Sequence, residues 1–220
     1  MSSSFESPDF NFKIVTIGQS SVGKTSIILR YTENTFNKNT LLTTLGVDYK
    51  TKEIKIENRK VSLSIWDTAG QEKFNHLTKQ YYKGADGVLL VFDLTNKDSY
   101  NKLQFWYDEV KNHLQLSEIG LILVGNKSDD IEHREISQNQ GNEFANKLLA
   151  SYLEVSAATK DNINQSFKLL ILEIFRKRGL FDLKNRDNVR TDIWGNKHAV
   201  NKVKLRLDEM ECAQTSKCEC

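Results

Sequence analysis

Residues 18–25 read GQSSVGKT, set between an apolar run, FKIVTI (12–17), and a segment with one apolar side, KTSIILRY (24–31). The eight positions satisfy GxxxxGK followed by Ser or Thr, in the strand–turn–helix setting that this motif's mechanism needs. Glycines at Gly18 and Gly23 let the backbone curl. Successive N–H groups, from Ser20, Ser21 and Val22 through Ser26, can then point inward at phosphate oxygens, and the following helix adds its positive dipole end. Lys24 would bridge the terminal phosphates, and the Thr25 hydroxyl would ligate magnesium. The alternative is a glycine-containing turn without a ligand, and the setting disfavours it. The motif leaves open which base the nucleotide carries.

Outward from this loop the pattern keeps changing period between Phe10 and Arg178. VDYKTKEIKI (47–56) and KVSLSIWD (60–67) alternate apolar and polar residues around ENRK, as a hairpin does. GVLLVFD (87–93) and GLILVGNKSD (120–129) are continuous apolar runs with polar ends, the pattern of central parallel strands covered on both faces. SYNKLQFWYDEVKNHL (99–114) has helical spacing, as does ISQNQGNEFANKLLA (136–150), with Ser137 its expected cap. SYLEVSA (151–157) reads as a last strand, and NINQSFKLLILEIFRKR (162–178) as a closing helix with a basic end. Strand–helix alternation of this kind predicts an α/β fold with a mostly parallel sheet.

The remainder of the 220 residues fits one domain with extensions: 1–9 ahead of the domain at 10–178, and 179–220 as a flexible tail without sustained periodicity. With 31 basic against 29 acidic residues, charge alone does not point to nucleic acid. MSSSFESPDF lacks the basic start and apolar run of a secretory signal, and Ser2 stands where myristoylation needs glycine. No stretch approaches the roughly 18 apolar residues of a spanning helix. The expectation is a soluble cytosolic protein that reaches a membrane only through its tail. The histidines at 76, 113, 133 and 198 share no metal-ligand spacing and are expected at the surface.

NKSD (126–129) follows an apolar strand, so Asn126, Lys127 and Asp129 would emerge at the carboxyl end of the sheet, where such folds bind ligands. An aspartate carboxylate can accept two hydrogen bonds, which suits the N1–H and exocyclic amine of guanine; adenine lacks that donor pair. The same reading disfavours a P-loop kinase or ATPase.

With these two motifs in place, residues 10–178 resemble a small GTPase of the Ras superfamily. The resemblance implies a P-loop G domain with a six-stranded, mostly parallel sheet and helices on both faces. WDTAGQE (66–72) matches the family's second switch. That places Asp67 in the outer shell of the magnesium, Gly70 beside the terminal phosphate and Gln71 next to the attacking water. TTLGVDYK (43–50) resembles the first switch, with Thr44 closing on magnesium. Phe36 lies where the family stacks an aromatic on guanine. VSAA (155–158) matches the base loop through Ser156 and Ala157, whose N–H would meet the guanine oxygen. Ala158 departs from the family, which has a lysine there whose stem helps cover the base. GVDYK, IWDTAGQEKF and YYKGADG are similar to Rab stretches, and Tyr49, Trp66 and Tyr81 match an aromatic triad that Rab proteins present to effectors. The same three residues also suit packing of the hairpin and helix.

The resemblance implies a GTP/GDP-controlled switch in vesicular trafficking, with GTP or GDP and Mg2+ as ligands. Hydrolysis would be slow alone and stimulated by a GTPase-activating protein; an exchange factor, effectors, an escort protein and a GDP-dissociation inhibitor would be its other partners. A nucleotide-binding scaffold without turnover is the alternative; intact Thr25, Thr44 and Gln71 argue against it.

The chain ends KCEC, and its one other cysteine is Cys212. A metal clip, a loose thiol pair and a lipid site compete as readings of that end. On a Rab-like domain, Cys218 and Cys220 match the Cys-x-Cys terminus that receives two geranylgeranyl groups, and two chains anchor stably where one does not. From Leu180 onward eight basic residues face seven acidic ones, so the lipids would supply most of the attraction. Val203, Leu205 and Leu207 alternate upstream, as an escort-protein motif or as a chance apolar cluster. The expected location is the cytosol and the cytoplasmic face of an endomembrane, as a lipid-anchored peripheral protein. In a prenylating host, mass spectrometry should find two geranylgeranyl additions. Cys218→Ser with Cys220→Ser should abolish both and leave the protein cytosolic; membrane attachment without the two thiols would overturn the lipid reading.

Overall fold

The computed structural model describes residues 7–37, 47–56, 59–68 and 81–180. Among the described residues there are six strands: β1 (Phe10–Ile17), β2 (Val47–Ile56), β3 (Arg59–Thr68), β4 (Gly87–Asp93), β5 (Gly120–Asn126) and β6 (Ser151–Glu154). Among the described residues the helices are α1 (Lys24–Glu33), α2 (Lys97–Asn101), α3 (Leu103–His113), α4 (Gln138–Leu148) and α5 (Ile163–Arg178). The strands form one sheet in the order β2-β3-β1-β4-β5-β6. The β2–β3 pair is antiparallel, with Tyr49 opposite Trp66 and Ile56 opposite Arg59. The other pairs are parallel. The chain therefore leaves β1 toward one edge of the sheet and returns to build the other. The carboxyl end of β1 lies at that reversal, the place where open α/β sheets bind ligands.

Alternation along the strands sends side chains to two apolar layers. Val15, Ile17, Val88, Leu90 and Phe92 join Leu103, Trp106 and Val110 of α3 and Ala145 and Leu148 of α4. On the opposite face α5 packs over β4 and β5, and α1 packs over β3 and against α5. Leu170 and Ile174 of α5 reach to the backbone of Gly87, beside Ile14. Cover on both sides is why every residue of β4 is buried and why its sequence shows no polar alternation. No helix among the described residues is long and apolar enough to cross a membrane.

Local chemistry sets the helix ends. Ser137 Oγ accepts the Gln140 N–H while Gln140 Oε1 accepts the Ser137 N–H, a capping box at the start of α4. α1 ends at Asn34, whose left-handed φ of 57° suits an asparagine C-cap. One expected helix is two. Lys102, with ψ of −1°, separates α2 from α3, although its N–H still reaches Asp98 O and its carbonyl accepts from Trp106 N. The start of α2 is held by Asn96 Oδ1, which accepts the Ser99 N–H, and by Ser99 Oγ against the Asp93 backbone. The direction of α3 is instead set by burying Leu103, Trp106 and Val110. The break at Lys102 falls where the two demands meet. His133 is exposed, but His113 is half-buried and stacks on Tyr82 at 5.3 Å, because its apolar ring face covers that tyrosine. His76 and His198 lie outside the described residues.

The tightest aromatic contact joins the two helices of the α1/α5 layer: Tyr31 and Phe167 stack with centroids 3.8 Å apart and planes 9° from parallel. Phe167 is fully buried. Phe167→Ala should cost about 3–5 kcal/mol of stability, the usual range for a buried aromatic truncated in a core. Chemical denaturation of the GDP-loaded protein would show this as a lower midpoint with an unchanged slope.

Candidate functional site

The loop between β1 and α1 closes over its own lysine. Gly18 has φ of 142° and a Cβ there would lie 2.1 Å from the Val91 carbonyl oxygen, so any side chain would force the loop off β4. Gly23 has φ of 92° and caps α1; a Cβ on it would meet Asn126 Nδ2 at 2.3 Å. Ser21 sits between them in the left-handed region at φ 66°. Lys24, 5% exposed, donates to Gly18 O at 2.9 Å and to Gln19 O at 2.8 Å. Burial lowers its pKa to about 8, and the nearby Asp67 carboxylate partly opposes that shift. Thr25 Oγ1 donates to Asp67 Oδ2 at 2.5 Å, which brings together the first helical turn and the end of β3. A hydroxyl beside a carboxylate is a hard-oxygen donor set, and it fits a magnesium ion.

The second half of the site comes from β5 and the turn after β6. Asn126 is buried; its Nδ2 donates to Val22 O at 2.9 Å and its Oδ1 accepts the Ala157 N–H at 3.3 Å. Lys127 takes a left-handed φ of 66° as the chain leaves β5. Its ammonium lies 2.5 Å from Asp93 Oδ2, at the end of β4 in register with Asn126. Asp129 is exposed, and its Oδ1 accepts from the buried Ser156 Oγ at 2.6 Å. Ser156 Oγ also accepts the Thr159 N–H, which closes the turn containing Ala157 and Ala158. The P-loop, the NKSD turn and the VSAA turn thus lie against one another at one end of the sheet. Phe36 is half-buried beside Arg30, whose guanidinium carbon is 5.5 Å from the ring centroid.

The three aromatics singled out in the sequence meet on the sheet surface. Tyr49 stacks on Trp66 at 5.5 Å, Trp66 and Tyr81 lie 6.2 Å apart, and Lys13 Nζ sits 4.4 Å from the Trp66 ring. Tyr49 remains 57% exposed, so the cluster is not absorbed into the core. Thr44, Gly70, Gln71, Cys218 and Cys220 lie outside the described residues. Sequence reasoning missed two participants. Asp93 carried a usable signal, since it ends an apolar strand just as Asn126 does. Arg30 carried none, because its contacts to residues 157 and 158 form only on folding.

A sequence model of the Ras family matches residues 13–176. The Ras-related protein Rab-18-B of Danio rerio is 43% identical over 170 residues, which cover 77% of this chain and 82% of that protein. The Ras-related protein Rab-18 of Lymnaea stagnalis is 42% identical, covering 80% and 86% respectively. The GTP-binding protein ypt2 of Schizosaccharomyces pombe is 38% identical over the same two shares. Matches of this extent agree with the phosphate cradle, the NKSD turn and the six-stranded sheet: the chain belongs to the Ras family, on its Rab branch, and is a small GTPase that hydrolyses GTP.

Proposed function

We propose that this GTPase is a switch for vesicular membrane trafficking, alternating between GTP- and GDP-bound forms to recruit effectors. The observation that carries the reading is the convergence on Asn126. One carboxamide joins the loop built for phosphates to the loop built for a base, so a single guanine nucleotide would be gripped at both ends. In this reading the N–H groups of Ser20 through Ser26 face the phosphates, and Lys24 exchanges the carbonyls of Gly18 and Gln19 for phosphate oxygens. Asp129, steadied by Ser156, accepts from guanine N1–H and the exocyclic amine. Ala157 N–H faces the keto oxygen, and Phe36 lies against the base. Thr25 and Thr44 would hold magnesium, with Asp67 in its outer shell. Bound there, the ion neutralises charge on the phosphate oxygens.

Gln71 would orient the attacking water, and phosphoryl transfer asks for little else from the protein than position and charge. Turnover would be slow alone and rise up to about 10⁵-fold with a GTPase-activating protein. Loss of the terminal phosphate frees the segments around Thr44 and Gln71, and that change of order is the signal. Effectors would read it beside the Tyr49–Trp66–Tyr81 cluster, of which Tyr49 is exposed and the other two half-buried. An exchange factor would reload the site; an escort protein and a GDP-dissociation inhibitor would handle the tail once Cys218 and Cys220 carry geranylgeranyl groups. The working location is then the cytoplasmic face of an endomembrane, with a cytosolic pool.

Two substitutions test the roles. Asp129→Asn replaces an acceptor with an amide that mispairs with guanine; preference should move toward xanthine nucleotides, with GDP affinity falling about tenfold or more per hydrogen bond lost. Unchanged GDP affinity in a competition titration would remove Asp129 from the base site. Gln71→Leu should bind GTP normally and hydrolyse it at least tenfold more slowly, since losing the water's orienting bond raises the barrier by about 1.4 kcal/mol or more. A single-turnover rate equal to wild type would remove Gln71 from the reaction.

A further inference from the structure

Arg30 stands on α1, six residues beyond the phosphate lysine, yet its guanidinium is spent on the opposite end of the site. Nε donates to Ala157 O at 2.8 Å and Nη2 to Ala158 O at 2.9 Å. Nη1 donates to Asn34 O at 3.1 Å, and the guanidinium also faces the Phe36 ring. One planar, permanently charged group thus fastens two successive peptide carbonyls of the base loop to the segment that carries Phe36.

The consequence lies in the peptide groups around Ala157. Its N–H is the donor expected to meet the guanine keto oxygen, and it now makes only a long bond of 3.3 Å to Asn126 Oδ1. Ser156 Oγ anchors the loop just before that N–H, through Asp129 and the Thr159 N–H. Arg30 anchors it just after. The plane of that N–H is held on one side through Ser156 O, which accepts the Lys160 N–H, and Arg30 holds the two following carbonyls, so the chain is fixed on both sides of Ala157. At position 158 the side chain is only a methyl group, so the restraint on this turn acts through its backbone carbonyls.

We infer that Arg30 is a positioning residue for base specificity: it aims the Ala157 N–H at a purine 6-keto oxygen and ties that aim to the Phe36 side of the pocket. The inference rests on the guanine-site reading above and deepens it. It concerns a residue that touches neither phosphate nor base, so its mark is selectivity among bases and not loss of phosphate binding.

The test compares nucleotides that differ in which groups the base offers. Displacement of fluorescent GDP from the full-length protein would be measured with GDP, inosine diphosphate, 2-aminopurine riboside diphosphate and ADP. Inosine keeps the keto oxygen and N1–H and lacks the 2-amino group; 2-aminopurine keeps the amino group and lacks both the keto oxygen and the N1–H. Arg30→Ala should weaken GDP and inosine diphosphate by about tenfold each, the scale of one neutral hydrogen bond. The 2-aminopurine nucleotide should change by about twofold or less, because the misdirected N–H had no oxygen to meet. Arg30→Lys, with a single ammonium for two carbonyls, should fall between wild type and Arg30→Ala for GDP. It also serves as the informative variant if Arg30→Ala folds poorly. An equal loss for all three nucleotides, or no loss for any, would overturn the inference and leave Arg30 with a purely structural role. Wild-type protein that bound ADP as well as GDP would instead defeat the guanine-site reading itself.

Discussion

The site depends on a carboxamide that is satisfied from both sides. Asn126 is 2% exposed, and it gives a hydrogen to a loop 104 residues earlier in the chain while accepting one from the turn after β6. A side chain that donates and accepts at fixed spacing can brace two loops at once; a carboxylate would lack the donor and a hydroxyl the reach. Burial makes the arrangement stringent, since either half left unpaired would cost free energy away from water. The same atom also explains Gly23. Asn126 Nδ2 fills the space a Cβ would take, so the two motifs require each other sterically as well as through hydrogen bonds.

Lys24 is held by the backbone of its own loop. Its ammonium is almost fully removed from solvent, and desolvation works against its charge. The carbonyls of Gly18 and Gln19 hold it, and Asp67 lies near enough to favour the charged form. These are weaker partners than phosphate oxygens, and they belong to the loop that a nucleotide would enter. The loop's own acceptors keep the lysine in place without competing strongly for it.

Much of this was legible before any coordinates. The continuous apolar runs at 87–93 and 120–126 became fully covered central strands, and alternation at 47–56 and 60–67 became an antiparallel pair, because those patterns follow directly from one or two buried faces. That the GQSSVGKT loop and the NKSD turn would meet at one end of the sheet was legible because both follow apolar strands. The bend at Lys102 was not, since it settles a conflict between a cap at Asn96 and the burial of Trp106 that periodicity does not register. Arg30 was invisible for a related reason: its three acceptors are backbone carbonyls, which have no letter in a sequence. His113 read as a surface residue because composition does not say that Tyr82 needs a cover. For the Tyr49, Trp66 and Tyr81 cluster, the sequence supplied the residues and the fold supplied their adjacency.

The two edges of the sheet carry a different consequence. β2 ends the sheet on one side and β6 on the other, and an open edge is a template on which a second chain can add a strand. β6 offers only four residues, too short a ladder to capture much. β2 is ten residues long, but Lys50, Lys52 and Lys55 stud it. A strand docking there would have to strip water from Lys55 and disturb Lys50 and Lys52, which are already held by Glu33 and the Tyr31 ring. Lys50 and Lys52 thus serve the fold twice, bracing β2 against α1 and making that edge costly for a second strand to join.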